Sequence, residues 1–365
     1  MFNKYFKRIL ELGPIGITKN IKKRTKKLFF VKNFKNKALK KQANHTWNQI
    51  SKKYKLDPNF DLFFKKLKQQ NFIEKILPNL QDLNEKEIIK KADLTTSNSF
   101  KILGKNFCFK NKINWHQDFK SKIKNNNWKF NFYSDIKIKF PKSKNISDYY
   151  SDIKMPWELS RFQHLYFLGN SYKQTKNEKY VTIFKEQINN WIDENPFLIG
   201  VNWVCPMEVS IRAINFIYAF YFFKNAENIS SSFWQKFICS LYDHMIYLEN
   251  NWEESDKPNN HYLSDLIGYF YLTFFFSEFK NIKRKQKWVI KKLLKQFDHQ
   301  IQSDGTSYEG STSYHKLVTE IFWHFKILCE TNNIKLPQQF YEKLIKAFNF
   351  INDCTNQKNN FVQIG

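Results

Sequence analysis

A polar interruption near the end of the chain reads Asp304-Gly305-Thr306-Ser307-Tyr308-Glu309-Gly310-Ser311-Thr312-Ser313-Tyr314-His315. Small and hydroxyl residues crowd together here, and an apolar pattern with helical spacing follows at once. Two interpretations are open. The stretch is a polar turn in which Ser313 caps the next helix, or it is a loop that presents Tyr314 for chemistry. A similar stretch upstream, Pro258-Asn259-Asn260-His261, favours the second interpretation.

Helix starts of this kind recur about every 50 residues in the second half of the chain, which indicates a structural repeat. They lie near Glu158, Met207, His261 and Tyr314. Between them, partner helices are predicted near residues 180–191, 233–248, 285–297 and 338–351. Stacked helical hairpins form either a solenoid or an α/α toroid, in which one helix of each pair lines the inside. The unusual polar residues lie at the starts of one helix set, so we expect them to share a cleft.

The chain divides into three predicted parts. Residues 1–55 form a basic helical segment, for which a solvated face is favoured over a nucleic-acid-binding arm. Residues 56–150 predict helices that break near Pro78, then short strands or extended segments in the region of residues 100–140, where apolar and polar residues alternate. Residues 151–365 carry the hairpins. The predicted fold class is therefore mainly α, with an incomplete α/α toroid.

The composition is that of a folded and strongly basic protein, with 42% hydrophobic residues, 18% aromatic residues and a formal net charge of +27. This charge favours a polyanionic partner, although a general bias towards lysine and asparagine explains it equally well. No apolar run is long enough to span a membrane. No signal peptide follows the basic N-terminus, which predicts a cytoplasmic location. The five scattered cysteines form no disulfide framework.

Three charged residues near the predicted helix starts are candidates for substrate binding. Arg161 either holds a ligand carboxylate in its planar fork or pairs with Glu158 on the surface. Glu208 and Arg212 stand four residues apart, which favours an ion pair within one helix over a sugar-binding role.

Other candidates have equally ordinary alternatives. Trp203, beside Asn202, either stacks on a sugar ring or fills the core. Asn260 alone is most simply a helix cap, and His261 alone is more often structural. The sequence has no HExxH motif, no clustered metal ligands, no GxSxG elbow and no nucleotide-binding glycine loop. We therefore predict neither a metal site nor a cofactor.

Four stretches taken together resemble the N-terminal part of the heparinase II/III family of polysaccharide lyases, whose relatives include alginate lyases. They are Lys154 to Arg161, Gly200 to Arg212, Asn259-Asn260-His261, and Asp304 to His315. The resemblance covers residues 150–365 most closely and implies an incomplete α/α toroid followed by a C-terminal β-sandwich domain. No sandwich follows in this sequence, so we expect a truncated chain or a domain encoded separately. The family's export implies a periplasmic location.

The resemblance also implies a reaction and roles for individual residues. Family members cleave acidic polysaccharides that contain uronic acid, such as heparan sulfate or alginate, by β-elimination. Asn260 and His261 resemble the residues that neutralise the uronate carboxylate, and Tyr314 resembles the catalytic tyrosine. Candidate substrate-binding residues are Arg161, Asn202, Trp203, Glu208, Arg212 and His315. Without the sandwich domain we expect little or no lyase activity.

Two other functions remain open at this point. The first is a non-catalytic protein that binds polysaccharide or helps to assemble a surface polysaccharide, and the missing signal peptide favours it. The second is a nucleic-acid-binding helical repeat, for which only the net charge of +27 speaks. We expect no specific nucleic-acid partner.

Overall fold

The computed structural model describes residues 2–73, 85–110, 112–120, 127–137, 152–356 and 360–364. Helices dominate this part of the chain, and the predicted mainly α fold with helical hairpins is confirmed. Their bounds are α1 (Phe2–Leu39), α2 (Trp47–Tyr54), α3 (Phe60–Lys68), α4 (Glu85–Thr96), α5 (Lys154–Ser160), α6 (Leu165–Thr175), α7 (Glu178–Glu194), α8 (Pro206–Phe223), α9 (Ser231–Asn250), α10 (Asn260–Phe275), α11 (Ile282–Gln300), α12 (Thr312–Thr331) and α13 (Gln338–Asp353).

A small sheet and three 3₁₀ turns complete the described elements. Strands β1 (Ser99–Ile102) and β2 (Lys105–Cys108) form an antiparallel hairpin in which Ser99 lies opposite Cys108. The 3₁₀ turns span Asn127–Phe130, Tyr133–Asp135 and Val201–Trp203. The last of these turns directly precedes α8 and belongs to the loop that the sequence marked as unusual.

The hairpins arrange their helices in two layers. Helices α6, α8, α10 and α12 contact one another in chain order and form the first layer. Helices α7, α9, α11 and α13 form the second layer, each packed against its hairpin partner. This is the arrangement of an incomplete α/α toroid. Because all first-layer helices run in the same direction, their N-terminal ends lie on one side of the molecule.

The N-terminal helices cover the second layer. Helices α1, α2 and α3 pack against α9, and α4 packs against α6 and α7. Lysines of α1 also bond the end of the α9 hairpin: Lys26 Nζ donates to the Glu249 carbonyl at 2.7 Å, and Lys23 Nζ donates to the Glu254 carbonyl. As a result most residues of α9 are buried, although this helix belongs to the second layer.

Aromatic side chains and one glycine set the distance between the central helices. Phe184 of α7 stacks on Phe223 of α8 with ring centroids 4.4 Å apart, and Phe216 of α8 stacks on Phe237 of α9 at 5.3 Å. Between α8 and α10 the approach is closer, because a Cβ at Gly268 would lie 2.8 Å from the Cα of Ser210. Gly268 therefore permits a backbone contact that no larger residue allows.

The helix starts differ from the sequence prediction in detail. Helices α8, α10 and α12 begin one or two residues before the predicted positions. In place of the first predicted helix stand two, because the chain turns between α5 and α6 at Phe162, which has a φ of +60°. Phe162 is fully buried and stacks on Trp115 at 5.0 Å. Tertiary packing thus outweighs the cost of a left-handed phenylalanine.

The segment 128–132 was predicted to be extended, but Trp128 to Phe130 form a 3₁₀ turn, and only Phe132 makes a β-bridge, with Ile199. The helix break expected near Pro78 lies outside the described residues. Among the helices described, none is both long enough and apolar enough to cross a bilayer.

Gly268→Ala should lower the free energy of unfolding by about 1–3 kcal/mol, the usual cost of overpacking a core. In an exposed helix, the same replacement of glycine by alanine would instead raise the free energy of unfolding by up to about 1 kcal/mol. The sign of the change therefore reports the close contact between α8 and α10. Urea denaturation followed by circular dichroism measures it.

The matched control is Gly268→Ala combined with Ser210→Gly. The Oγ and Cβ atoms of Ser210 would lie 2.5 and 2.6 Å from the new methyl group. Ser210→Gly removes both of these atoms. Adding Gly268→Ala to the Ser210→Gly protein should therefore lower the free energy of unfolding by less than adding it to the wild type does. A Gly268→Ala protein as stable as the wild type would contradict this account of the packing.

Candidate active site

The candidate site lies where the first-layer helices begin. The loops that enter α8, α10 and α12 span residues 200–205, 251–259 and 301–311, and the C-terminal end of α5 lies beside the first of them. Each of these ends carries residues that the sequence marked as candidates. The fold therefore brings together loops that are about 50 residues apart in the chain.

Asn260 is tied to the loop before α12. Its backbone N–H donates to Glu309 Oε1 at 2.9 Å, and its side-chain Nδ2 donates to Glu309 Oε2 at 2.8 Å. Asn260 is 4% exposed. It is not the N-cap that the sequence suggested, because Asn259 Oδ1 accepts the His261 N–H at 3.2 Å and caps α10. The Asn260 side chain is thereby released from capping and fixed in place by Glu309.

His261 lies on the exposed side of the same helix turn. Its side chain is 42% exposed, and its Nδ1 lies 3.1 Å from Glu253 Oε2. The hydrogen bond to Glu253 raises the pKa of the imidazole, although partial burial opposes this. A raised pKa means that the folded protein favours the protonated, doubly donating form of the ring.

Tyr314 stands in the first turn of α12 and is 48% exposed. Ser311, not Ser313, caps this helix, since Ser311 Oγ accepts the Tyr314 N–H at 3.3 Å. The loop therefore caps a helix, as the first interpretation predicts, although through Ser311, and the role of Tyr314 in chemistry stays a prediction. The loop does cap a helix, and it also leaves the tyrosine ring accessible at the same helix ends as Asn260 and His261.

Arg161 lies between two carboxylates. Its Nε and Nη2 donate to the two oxygens of Glu208 at 2.7 and 2.8 Å, and its Nη1 lies 2.6 Å from Glu158. Burial tends to lower the pKa of Arg161, but the bonds and the charge of Glu208 raise it overall. The predicted pair with Glu158 is present. The pair predicted between Glu208 and Arg212 is replaced by the pair with Arg161.

Arg212 is fully buried beneath the helix ends. Its Nε donates to His244 Nε2 at 2.9 Å, and its Nη2 donates to the Asn202 carbonyl at 2.8 Å. The guanidinium carbon lies 4.4 Å from the ring centre of Trp191 and 5.5 Å from that of Trp203. Burial lowers the pKa of Arg212 to about 9, so the group stays protonated at neutral pH.

Three more predicted binding residues are buried. The Asn202 Nδ2 donates to the Asn195 Oδ1 at 2.8 Å, and Trp203 Nε1 donates to the Asn195 carbonyl at 3.3 Å. His315 places Nε2 3.0 Å from the Ala347 carbonyl. All three are at most 1% exposed. Like that of Arg212, their burial does not fit direct contact with a polysaccharide, and they contact the protein beneath the site instead.

The sequence reasoning missed Glu253 and assigned no role to Glu309. Both are ordinary loop glutamates in the sequence, and nothing in their spacing distinguishes them from other acidic residues. With Glu158 and Glu208 they surround the site with carboxylates, although the whole chain carries a formal net charge of +27. Only the fold shows that they converge.

One group of side chains has the composition of a metal site. Cys205, Glu253 and His261 each offer a ligand atom, and these atoms lie within 4.8 Å of one another. Cys205 is buried, and the other two are partly exposed. No spacing in the sequence predicts this cluster, because Cys205 enters α8 whereas His261 begins α10.

Comparisons with known proteins agree with the observed fold. The heparan sulfate lyase HepC of Pedobacter heparinus superposes with a TM-score of 0.58 at 20% identity, over 91% of this chain and 47% of that one. A structure described as heparinase III gives a TM-score of 0.61 at 20% identity, over 89% of this chain and 45% of that one. At such identities the likeness concerns the fold.

Curated relatives match about half of this chain. The heparin-sulfate lyase of Pedobacter heparinus is 25% identical over 196 residues, which is 52% of this chain and 29% of that protein. The heparin-sulfate lyase of Bacteroides thetaiotaomicron is 28% identical over 195 residues, 52% of this chain and 28% of that protein. The matched region thus spans less than a third of either relative.

The sequence model of the family described as Heparinase II/III N-terminus matches residues 26–358. That range contains the paired helix layers and every residue of the candidate site. The chain belongs to the heparinase II/III N-terminus family.

Proposed function

We propose that this chain carries the tyrosine-bearing face of a lyase that cleaves uronate-containing polysaccharide by β-elimination. The observation that carries the proposal is the common position of Tyr314, Asn260 and His261 at the first-layer helix ends, with Tyr314 and His261 accessible and Asn260 fixed by Glu309. Membership of the family and the names of the curated relatives support it. Those names favour heparan sulfate over alginate as the substrate.

The first requirement of the reaction is neutralisation of the uronate carboxylate. The proton at C5 becomes acidic enough to remove only when donors stabilise the negative charge that develops on that carboxylate. The Asn260 amide has two N–H bonds, of which Glu309 accepts one, so the other can donate to the substrate. His261 contributes positive charge when Glu253 keeps it protonated.

The second requirement is proton transfer at C5 and at the leaving O4. Tyr314 supplies a hydroxyl that donates a proton to O4 as the bond to C4 breaks. In its ionised form the same oxygen takes the C5 proton first and then passes it to O4, so one residue completes both transfers.

The buried residues support this site without touching substrate. Arg212 bonds the Asn202 carbonyl in the loop that enters α8, and His315 anchors α12 to the Ala347 carbonyl of α13. We assign these residues, with Trp203, the task of fixing the helix ends. Substrate binding by Arg161 would require a sugar carboxylate to displace Glu158 from its 2.6 Å contact.

The net positive charge of the whole chain supplies the attraction for an acidic polysaccharide that the residues of the site do not supply. Four glutamates surround the helix ends, so the immediate site is not a strongly cationic groove. A net charge of +27 draws a polyanion to the surface over distances comparable to the Debye length, about 8–10 Å at physiological salt. We therefore expect polysaccharide binding to weaken steeply as salt rises.

Tyr314→Phe should abolish product formation, because it removes only the oxygen that moves protons. General acid–base groups contribute roughly 10²- to 10⁴-fold to a rate. The measurement is the absorbance of the unsaturated uronate formed from heparan sulfate, heparin, alginate and hyaluronan, at enzyme concentrations that reveal slow turnover. Fast turnover by the wild-type chain would contradict the expectation of little activity.

The control is Tyr341→Phe, the same change on α13, away from the first-layer helix starts. It should leave the rate unaltered. A Tyr314→Phe rate equal to that of wild type would refute the assignment of the tyrosine. Salt-sensitive binding of heparan sulfate without any unsaturated product would support the non-catalytic alternative.

Glu309→Gln should lower turnover by roughly 10- to 100-fold, the usual effect of removing a group that orients an active-site residue. Glutamine replaces one of the two carboxylate oxygens by an NH₂ donor, so one of the two N–H groups of Asn260 would face a donor in place of the oxygen that accepts it in the wild type. Initial rates with wild type, Glu309→Gln, Asn260→Ala and the double variant measure the effect. The double variant should be no slower than Asn260→Ala alone.

Glu320→Gln provides the matched control, because Glu320 is an exposed glutamate on the same helix α12. Its rate should equal that of wild type. Additive losses for Glu309→Gln and Asn260→Ala would show that Glu309 does not act through Asn260.

A further inference from the structure

We propose that Cys205, Glu253 and His261 form a binding site for a divalent metal ion of the zinc class. The three residues come from the loop that enters α8, from the loop that enters α10, and from the first turn of α10. Their ligand atoms lie within 4.8 Å of one another. The test of this proposal is a binding measurement and not the lyase assay. With the ion bound, His261 is a ligand and not an imidazolium, and the ion takes over the positive charge that the protonated ring supplies in its absence. The proposal departs from the expectation from sequence that no metal site exists.

The distances between these ligand atoms are close to those found around a tetrahedrally coordinated ion. His261 Nδ1 lies 3.1 Å from Glu253 Oε2, and Cys205 Sγ lies 3.9 Å from the same oxygen. With bonds of about 2.0 Å to nitrogen or oxygen and about 2.3 Å to sulfur, ligand atoms around zinc are roughly 3.2–3.8 Å apart. A shift of about 1 Å by the partly exposed His261 side chain is enough to close the set.

The donor types favour zinc over harder cations. Thiolate, imidazole and carboxylate are the three ligand types found in zinc sites. Calcium and magnesium prefer oxygen ligands throughout, and the thiolate of Cys205 disfavours them. Three protein ligands leave a fourth position for water or a ligand oxygen. That position would lie on the accessible side, since His261 is 42% and Glu253 32% exposed.

A buried carboxylate beside the cluster provides a second, independent observation. Asp265 is fully buried, its Oδ2 accepts the backbone N–H of Glu253 at 2.8 Å, and its Oδ1 is buried without a hydrogen-bond partner in the described structure. Carboxylates that hold the ligand residues from behind are a regular feature of metal sites. An unpaired buried carboxyl oxygen is otherwise costly.

The local charge also suits a cation. Glu253 Oε2 lies 3.9 Å from Cys205 Sγ, and the fully buried Asp265 holds the backbone of Glu253, so two acidic side chains stand at the cluster. Binding of the ion forms bonds from the metal to Cys205 Sγ and His261 Nδ1. It breaks the S–H bond of Cys205 and the Nδ1–H bond of His261, and both protons are released to solvent.

The decisive measurement is a titration of the wild-type chain, purified without a histidine tag and dialysed against chelator, with Co²⁺ as a spectroscopic substitute. We expect a thiolate-to-cobalt charge-transfer band that saturates at one equivalent, and its loss when Zn²⁺ is added at one equivalent. Absence of the band from the folded wild-type chain would overturn the proposal.

Variants identify the ligands. Cys205→Ser should eliminate the band and weaken Zn²⁺ binding at least tenfold, and Glu253→Gln should weaken Zn²⁺ binding by a similar factor. The control is Cys108→Ser, which removes an exposed cysteine on β2 and should change neither. A band that survives Cys205→Ser, or that disappears in Cys108→Ser, would show that the proposed site is wrong.

A second measurement on the unaltered chain covers the case in which Cys205→Ser does not fold. Alkylation of each cysteine is followed by mass spectrometry with and without one equivalent of Zn²⁺. Zinc should slow alkylation of Cys205 and leave that of Cys108 unchanged. Equal alkylation of Cys205 in both samples would count against the site, whatever the variants show.

Discussion

The arrangement of the helix ends depends on the contacts of one buried group, the guanidinium of Arg212. It is stacked against Trp191 of α7 and Trp203 of the loop before α8, and it donates to His244 of α9 and to the Asn202 carbonyl. A charge taken out of water is costly unless its donors are satisfied. Because these partners belong to α7, to α9 and to the loop before α8, the contacts of this one residue of α8 fix the relative positions of three hairpin helices and a loop.

Closer to the site, charged side chains also join neighbouring loops. Glu309 in the loop before α12 accepts the backbone N–H and one side-chain N–H of Asn260 at the start of α10, so neighbouring hairpins are joined where they begin. Arg161 joins the end of α5 to the first turn of α8 through Glu208. The site is thus built from charge-assisted bonds between loops, and these are stronger than bonds between neutral groups. The rigid helices behind them determine where the loops meet.

The functional groups that remain accessible are few. His261 and Tyr314 are about half exposed, whereas Asn260 is nearly buried and held from behind. This pattern, with reactive groups at the surface and their supports beneath, is what a preorganised site requires. It also explains why a strongly basic chain has glutamates around its candidate site. They bond Asn260, His261 and Arg161, whereas the lysines that give the chain its positive net charge are distributed over the rest of the surface.

The repeat of helix starts, the mainly α fold and the family resemblance could all be read from the sequence. Apolar periodicity determines helices, and a polar loop that recurs every hairpin reveals the stacking. Burial of individual side chains could not be read in this way. Trp203 and Arg212 have the residue types of sugar-binding positions, yet they face inward because α8 is covered on nearly all sides.

Local signals therefore determined which segments are helices and which loops are unusual, since capping and periodicity act over a few residues. The caps themselves were misplaced by one or two residues, at Asn259 and Ser311, because several neighbouring hydroxyl and amide side chains compete for the same role. Only the tertiary structure decided that Glu253, Cys205 and His261 converge and that Glu309 fixes Asn260. Such contacts depend on the distance and the angle between stacked hairpins. Packing across the whole core sets both, and no short stretch of the chain determines them.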